Sequence, residues 1–330
     1  MAHMIDTTTG RAAIAYTGTT PWHGLGQVLT PDSTIEQWTQ EAGLGYTVLE
    51  SAVEYSTPAV TGHQVWPDRK VLHRSDTGAP LAVVSKDYKT VQPAEVMGFF
   101  QKLLDLGGFQ METAGALSHG RRVWALASVG DGAEVVSGDV VKPYLLLGTS
   151  YDGTMATIAK FTAIRVVCNN TITPAVNNTS DEISKGYIKS AVRVLHSERF
   201  DADAVRMQLG IVANQFERFI VESRQLARQP MVFNEADLFV KELLKPYHTG
   251  KLDIVDTRAY KRVIELWQGR AIGSDILSAA QVKGSRWGML NAVTQLVDHE
   301  RGRSDNTRLE SAWFGTGSAL KNRALELLTA

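Results

Sequence analysis

Six cations and three large rings share the stretch from Thr257 to Leu290. Arg258, Lys261, Arg262, Arg270, Lys283 and Arg286 stand against two acids, Glu265 and Asp275, a local charge of +4. Tyr260, Trp267 and Trp287 are interleaved with them. Cations neutralise a phosphate backbone and rings give bases a surface on which to stack, so the mixture suits a single-stranded nucleic acid. The same spacing also suits a helix that buries its rings and solvates its charges. A second cluster, from Lys160 to Arg206, carries seven cations (Lys160, Arg165, Lys185, Lys189, Arg193, Arg199, Arg206) against five acids. Within it, Lys160 and Arg165 lie on an apolar hairpin that ends in the amides Asn169 and Asn170, a core that could carry a ligand edge.

Other chemistry finds little support. No P-loop is present, and no glycine fingerprint follows a strand and opens a helix. Neither a CxxC nor an HExxH pair occurs, and His23 has no His or Cys at ligand spacing, so no metal or other cofactor is expected. Cys168 lies in a β-branched run, where a lone cysteine reads as a small core residue rather than a nucleophile. Asp298, His299 and Glu300 resemble an acid–base cluster, but adjacent helical residues point in different directions and cannot converge on one atom. Arg121 and Arg122, at the start of a strand, are the other pair suited to phosphate.

The elements that must position these residues follow from periodicity. Tyr144–Thr149 is an apolar strand, Asp152-Gly153 marks a tight turn, and Met155–Phe161 alternates between two faces. Ile164–Cys168 continues the strand character. Upstream, a helix is expected after Asp32 or Ser33, stopping at Gly43 or Gly45. Strands are expected over 46–60 and 64–72, with Gly62 and Asp68 in the turns, and over 80–84. Pro93 opens a helix to Leu106 whose apolar face is Val96, Phe99, Phe100, Leu103, Leu104 and Leu106. A hairpin, Phe109–Leu117 and Arg121–Val129, turns at Ser118-His119-Gly120. Beyond Tyr187 helical period dominates, with Asn234, Thr257 and Ser285 as caps and helices over 201–227, 235–244, 258–268, 286–301 and 309–328. The fold class is therefore α+β: a strand-rich region over 1–185 with a central antiparallel hairpin, then a mainly helical region over 186–330.

Composition limits the partners. The 330 residues are 44% hydrophobic and 21% charged with a net charge of −1, so any polyanion site is a local patch. No apolar run approaches the roughly 20 residues of a membrane span. The first residues lack the pattern of a signal peptide, and one cysteine permits no internal disulfide; a cytoplasmic setting is expected.

TPWHGLG near the start, LLLGTSYDG and TAIRVVCNNT in the middle, and WGMLNAVTQLVDHERG with RLESAWFGTGSALKNRALELL at the end carry a resemblance. The chain resembles the phage/plasmid-like protein family, domain of unknown function 932, over nearly its whole length. Where that family's central motif reads closer to SHDGS, this chain has Ser150-Tyr151-Asp152-Gly153-Thr154. The resemblance implies a setting in bacteriophages and other mobile elements, hence in the cytoplasm of a host cell, and brings no enzyme activity with it. The leading expectation is a non-enzymatic single-stranded-DNA-binding protein acting in DNA recombination as an annealing protein and as a homo-oligomer. Its contacts would be Lys160, Arg165, Asn169, Asn170, Arg258, Lys261, Arg262, Lys283 and Arg286, with Tyr260, Trp267 and Trp287 as stacking rings. The alternatives are a phage structural or host-interaction protein, and a metal-dependent nucleic-acid or nucleotide enzyme built on Asp152, Glu182 and other dispersed carboxylates.

Overall fold

The computed structural model describes residues 5–18, 25–105, 107–165, 170–172, 191–194, 201, 212–269, 282–301, 311–312 and 315–330. In chain order the elements are β1 (Ile14–Tyr16), β2 (Gln27–Val28), α1 (Ile35–Glu41), β3 (Val48–Thr57), β4 (Val60–Arg74), β5 (Pro80–Ser85) and α2 (Pro93–Asp105). Then come β6 (Phe109–Leu117), β7 (Arg122–Val129), β8 (Ala133–Val136), β9 (Asp139–Ser150), β10 (Thr157–Arg165), β11 (Asn170–Ile172) and β12 (Ala191–Val194). The helices α3 (Val212–Arg228), α4 (Phe233–Leu244), α5 (Arg258–Trp267), α6 (Arg286–Gln295) and α7 (Thr316–Thr329) complete the chain. With 37% helix and 33% strand, and five of these seven helices in the second half, the fold is α+β.

The chain forms two compact units, each assembled from several segments: Met1–Gly130, Leu145–Lys160 and Ala191–Gly210 in the first, Asp131–Tyr144, Phe161–Ser190 and Ile211–Ala330 in the second. The division expected near residue 185 falls outside the described residues.

In the first unit a sheet runs β10-β9-β7-β6-β1-β2, to which β9 gives residues 145–150 and β10 residues 157–160, with β12 also on β10. The β9–β10 turn contains Gly153 at φ +72°, a conformation glycine adopts without strain. The Asp152 carboxylate accepts from the Thr154 N–H at 3.0 Å, closing the turn from inside. The β6–β7 turn departs from common usage, since Ser118 and His119 both have positive φ (55° and 61°). Helix α2 buries Val96, Phe99, Phe100 and Leu103, the face its periodicity predicts, while Leu104 is half-buried. Helix α1 begins later than expected. Thr34 rather than Ser33 or Asp32 is its cap, because Gln37 returns a side-chain bond to the Thr34 N–H at 2.8 Å and completes a capping box.

A separate sheet of the same unit has the order β3-β4-β5. Gly62 and Asp68, expected in turns, lie inside β4, and the reversal occurs at Pro58-Ala59. Their turn-forming character is absorbed instead by two breaks of register, which leave Thr61–His63 and Trp66–Arg69 without partners on β3.

The second unit packs helices around α6. Its neighbours include α3, α5 and α7, and α3 also lies on β8. Phe219 sets its ring against Trp287 at 6.3 Å, and Phe161 meets Phe216 at 6.1 Å, both edge-on. Thr257 and Ser285 cap α5 and α6 as expected, accepting from the N–H groups of Tyr260 and Gly288. Asn234 does not cap α4: the helix starts one residue before it, and the Val232 N–H is bound by Glu235 at 2.9 Å. After Gln295 the helix α6 widens into a π turn, Leu296–Glu300.

Candidate nucleic-acid interface

Helix α5 sorts its residues sharply. Tyr260, Val263, Ile264, Leu266 and Trp267 are buried, while Arg258, Lys261 and Glu265 share the exposed side at intervals of three and four. Arg258 and Lys261 occupy the first turn, which holds no acid. A helix dipole is positive at that end, so these two cations oppose the helix rather than stabilise it. Lys261 is offset in part by Asp256 at 3.3 Å, an exposed pair of small net worth. At the other end, Lys283 is exposed and its aliphatic stem lies along Gly269, which follows the C-terminus of α5.

The remaining cations serve the fold. Arg262 grips Glu300 with two bonds, Nε to Oε2 at 2.5 Å and Nη2 to Oε1 at 2.9 Å, and the Glu300 carboxylate holds the guanidinium pKa up. Arg286 is half-buried and donates from Nη1 to the Leu328 carbonyl at 3.0 Å, satisfying one of the open acceptors at the end of α7. Lys160, in the first unit, is 6% exposed and offers no surface ammonium. Arg165 and Asn170 are opposed in the ladder between β10 and β11. Asn169, Arg270 and Asp275 lie outside the described residues, as do Trp22, His23, Cys168 and Glu182.

All three rings expected to stack on bases are core residues. The Tyr260 hydroxyl donates to Asp237 at 2.5 Å, and burial followed by this bond pushes its pKa up to about 12. Trp267 donates its indole N–H to the Ser285 carbonyl at 3.3 Å. Trp287 is fully buried and donates to the Asp139 carboxylate at 2.9 Å. Helical spacing places a ring on a face; whether the face is covered depends on elements elsewhere in the chain. Arg258 and Lys261 therefore stay exposed in the first turn of α5 and Lys283 beside its other end, while the rings are absent from that surface.

Two buried ionic clusters carried no sequence signal. In the first unit, the 1%-exposed Arg74 guanidinium binds Asp6, makes paired bonds to Asp76 (Nε 2.9 Å, Nη2 2.7 Å) and lies 4.0 Å from the centre of the Tyr46 ring. Burial works against its charge, but the two carboxylates outweigh that and raise its pKa; Arg74 in turn lowers that of Asp76. Nearby, Tyr151 is completely buried and its hydroxyl finds no hydrogen-bond partner among the described residues. Burial raises its pKa. In the second unit, the buried Lys321 donates to Asp298 at 2.7 Å. Asp298 and Glu300 thus serve different cations, as the rotation between helical residues requires. Asp152 is held by Thr154 and lies 3.7 Å from Arg122. Among the described residues no three His, Cys, Asp or Glu side chains are grouped to hold a metal ion.

A domain of unknown function, DUF932, matches residues 80–313. The chain belongs to the DUF932 family. No curated protein and no solved structure matches it. The DUF932 match includes α5, Lys283, both central turns and the Asp298–Lys321 partner Asp298, but starts after β4. None of the described helices of this DUF932 protein is long and apolar enough to cross a membrane.

Proposed function

We propose that this chain binds single-stranded nucleic acid, DNA in the first place, through phosphate contacts along α5. The observation that carries the reading is the pair Arg258 and Lys261 at the positive end of a helix, where helix energetics alone disfavours them. With Lys283 near the other end they flank a helix of ten residues, about 15 Å long. That length accommodates a short run of a flexible strand. Because Tyr260, Trp267 and Trp287 are internal, the contact would be electrostatic, tolerant of base sequence and steeply dependent on salt.

The family's association with phages and plasmids supports a role in recombining or replicating DNA, including strand annealing, in the cytoplasm of a host cell. That association rests on resemblance. Annealing needs no catalytic group, so the reading assigns none.

Titration of labelled oligonucleotide at two salt concentrations tests it. With three phosphate contacts, the logarithm of affinity falls against that of salt with a slope of roughly −2. Arg258→Glu combined with Lys283→Glu should weaken binding strongly. Lys245→Glu, which reverses another exposed cation of the same unit, should do little. Equal effects of both variants, or no binding at low salt by folded protein, would reject the interface. Magnesium-dependent strand cleavage would instead favour the enzyme.

A further inference from the structure

The sheet β3-β4-β5 gathers exposed apolar side chains within one short stretch of the chain. Leu49, Tyr55, Val60, Val65, Trp66 and Val83 are between 42% and 56% exposed, and they make up six of the twelve large apolar side chains described as exposed. At the root of the sheet one face is internal, with Leu72 and Val84 buried. The pairs Ser51–Val71 and Val71–Val83 continue outward on the other face, beside Leu49–His73. Beyond residue 69, towards the tip, β4 pairs with β3 alone. A two-stranded ribbon is marginal in water, and Leu49 and Val83 leave this face of the root apolar and open to solvent.

We propose that this open face is where two copies of the chain associate, arm against arm. Charge selects the occupant. From Val48 to Arg74 the acids Glu50, Glu54 and Asp68 balance Arg69, Lys70 and Arg74. Lys70 is bound to Glu50 at 2.9 Å and to the Tyr88 carbonyl at 2.8 Å, and Arg74 is buried with its own carboxylates. Arg69 lies over the Trp66 ring at 5.3 Å. A polyanion or an anionic membrane therefore gains little here, because its affinity depends on clustered cations. The centre of the face, Ser51, Val71 and Val83, is uncharged, so a two-fold axis can lay it on its own copy without setting like charges together.

Size agrees. The 15 residues of β4 extend about 50 Å at 3.3 Å per residue, and two to three strands at 4.8 Å spacing give a footprint of roughly 500–700 Å². Stable interfaces bury about 800 Å² per partner and transient ones less, so a face of this size suits a reversible dimer. Neither the contact nor its test depends on the nucleic-acid reading, which concerns residues of the other unit.

Sedimentation of the full chain without nucleic acid, over a range of concentrations, should show a monomer–dimer equilibrium. Val83→Glu and, separately, Leu49→Glu place a charge in the face and should weaken association at least about tenfold while leaving the circular dichroism spectrum unchanged. Val232→Glu, at a 63%-exposed apolar position in the other unit, should leave it intact. A wild-type chain that stays monomeric at every concentration overturns the proposal. So does a dimer indifferent to both arm variants, or association that appears only once oligonucleotide is added.

Discussion

The Trp287 indole N–H donates to the Asp139 carboxylate at 2.9 Å, and both residues are completely buried. The bond joins the first residue of β9 to the first turn of α6 across 148 positions of sequence. It explains why Trp287 is unavailable to a ligand: its polar edge neutralises part of the cost of an internal carboxylate, and its faces are packed.

Removing that donor should therefore be expensive. Trp287→Phe loses both ring volume and one donor to a buried carboxylate, a cost of about 2–4 kcal/mol. Denaturant melts would show a shifted midpoint at unchanged slope. A loss of oligonucleotide binding with full stability would return Trp287 to the interface.

The Lys321–Asp298 pair gives a test with a sign. Burial lowers the Lys321 pKa, and Asp298 opposes this only in part. The folded chain therefore holds fewer protons than the unfolded one between the lowered value and the ordinary 10.5. Stability contributed by this group rises with pH through that window. Lys321→Met should abolish the slope and cost about 3–5 kcal/mol by removing the ammonium bound to the buried Asp298 carboxylate. The double variant Lys321→Met, Asp298→Leu should recover most of that loss, because neither charge then needs solvating. Thermal melts across the alkaline range compare all three proteins; a double variant no better than the single would refute the account.

Gly153 tests the central turn. A Cβ there meets nothing within 4 Å, so only the backbone resists substitution. Gly153→Val should cost about 1–2 kcal/mol, whereas Gly153→Asn, which tolerates positive φ, should cost much less. Equal melting temperatures for the two variants would contradict the turn geometry.

Local chemistry was legible in the residues themselves. The Asp-Gly turn, the Thr257 and Ser285 caps, the apolar face of α2 and the divergence of Asp298 from Glu300 each depend on neighbours within a turn or a hairpin, so the sequence alone determined them, along with the α+β class. The start of α1 shifted because capping is a competition among adjacent Ser, Thr and Asp, decided by the Gln37 bond. Gly62 and Asp68 misled because a long strand can take up turn-forming residues as breaks in register. The fate of the charged and aromatic residues was a tertiary matter. Arg262 looked like a solvent-facing cation until Glu300, 38 positions away, was placed against it. Arg74 became internal because Asp6 and Asp76 arrive from either side in the chain, and Trp287 did so because Asp139 does. Periodicity says which face a side chain occupies; only the packed fold supplies what covers that face, because burial depends on partners brought together from distant parts of the chain.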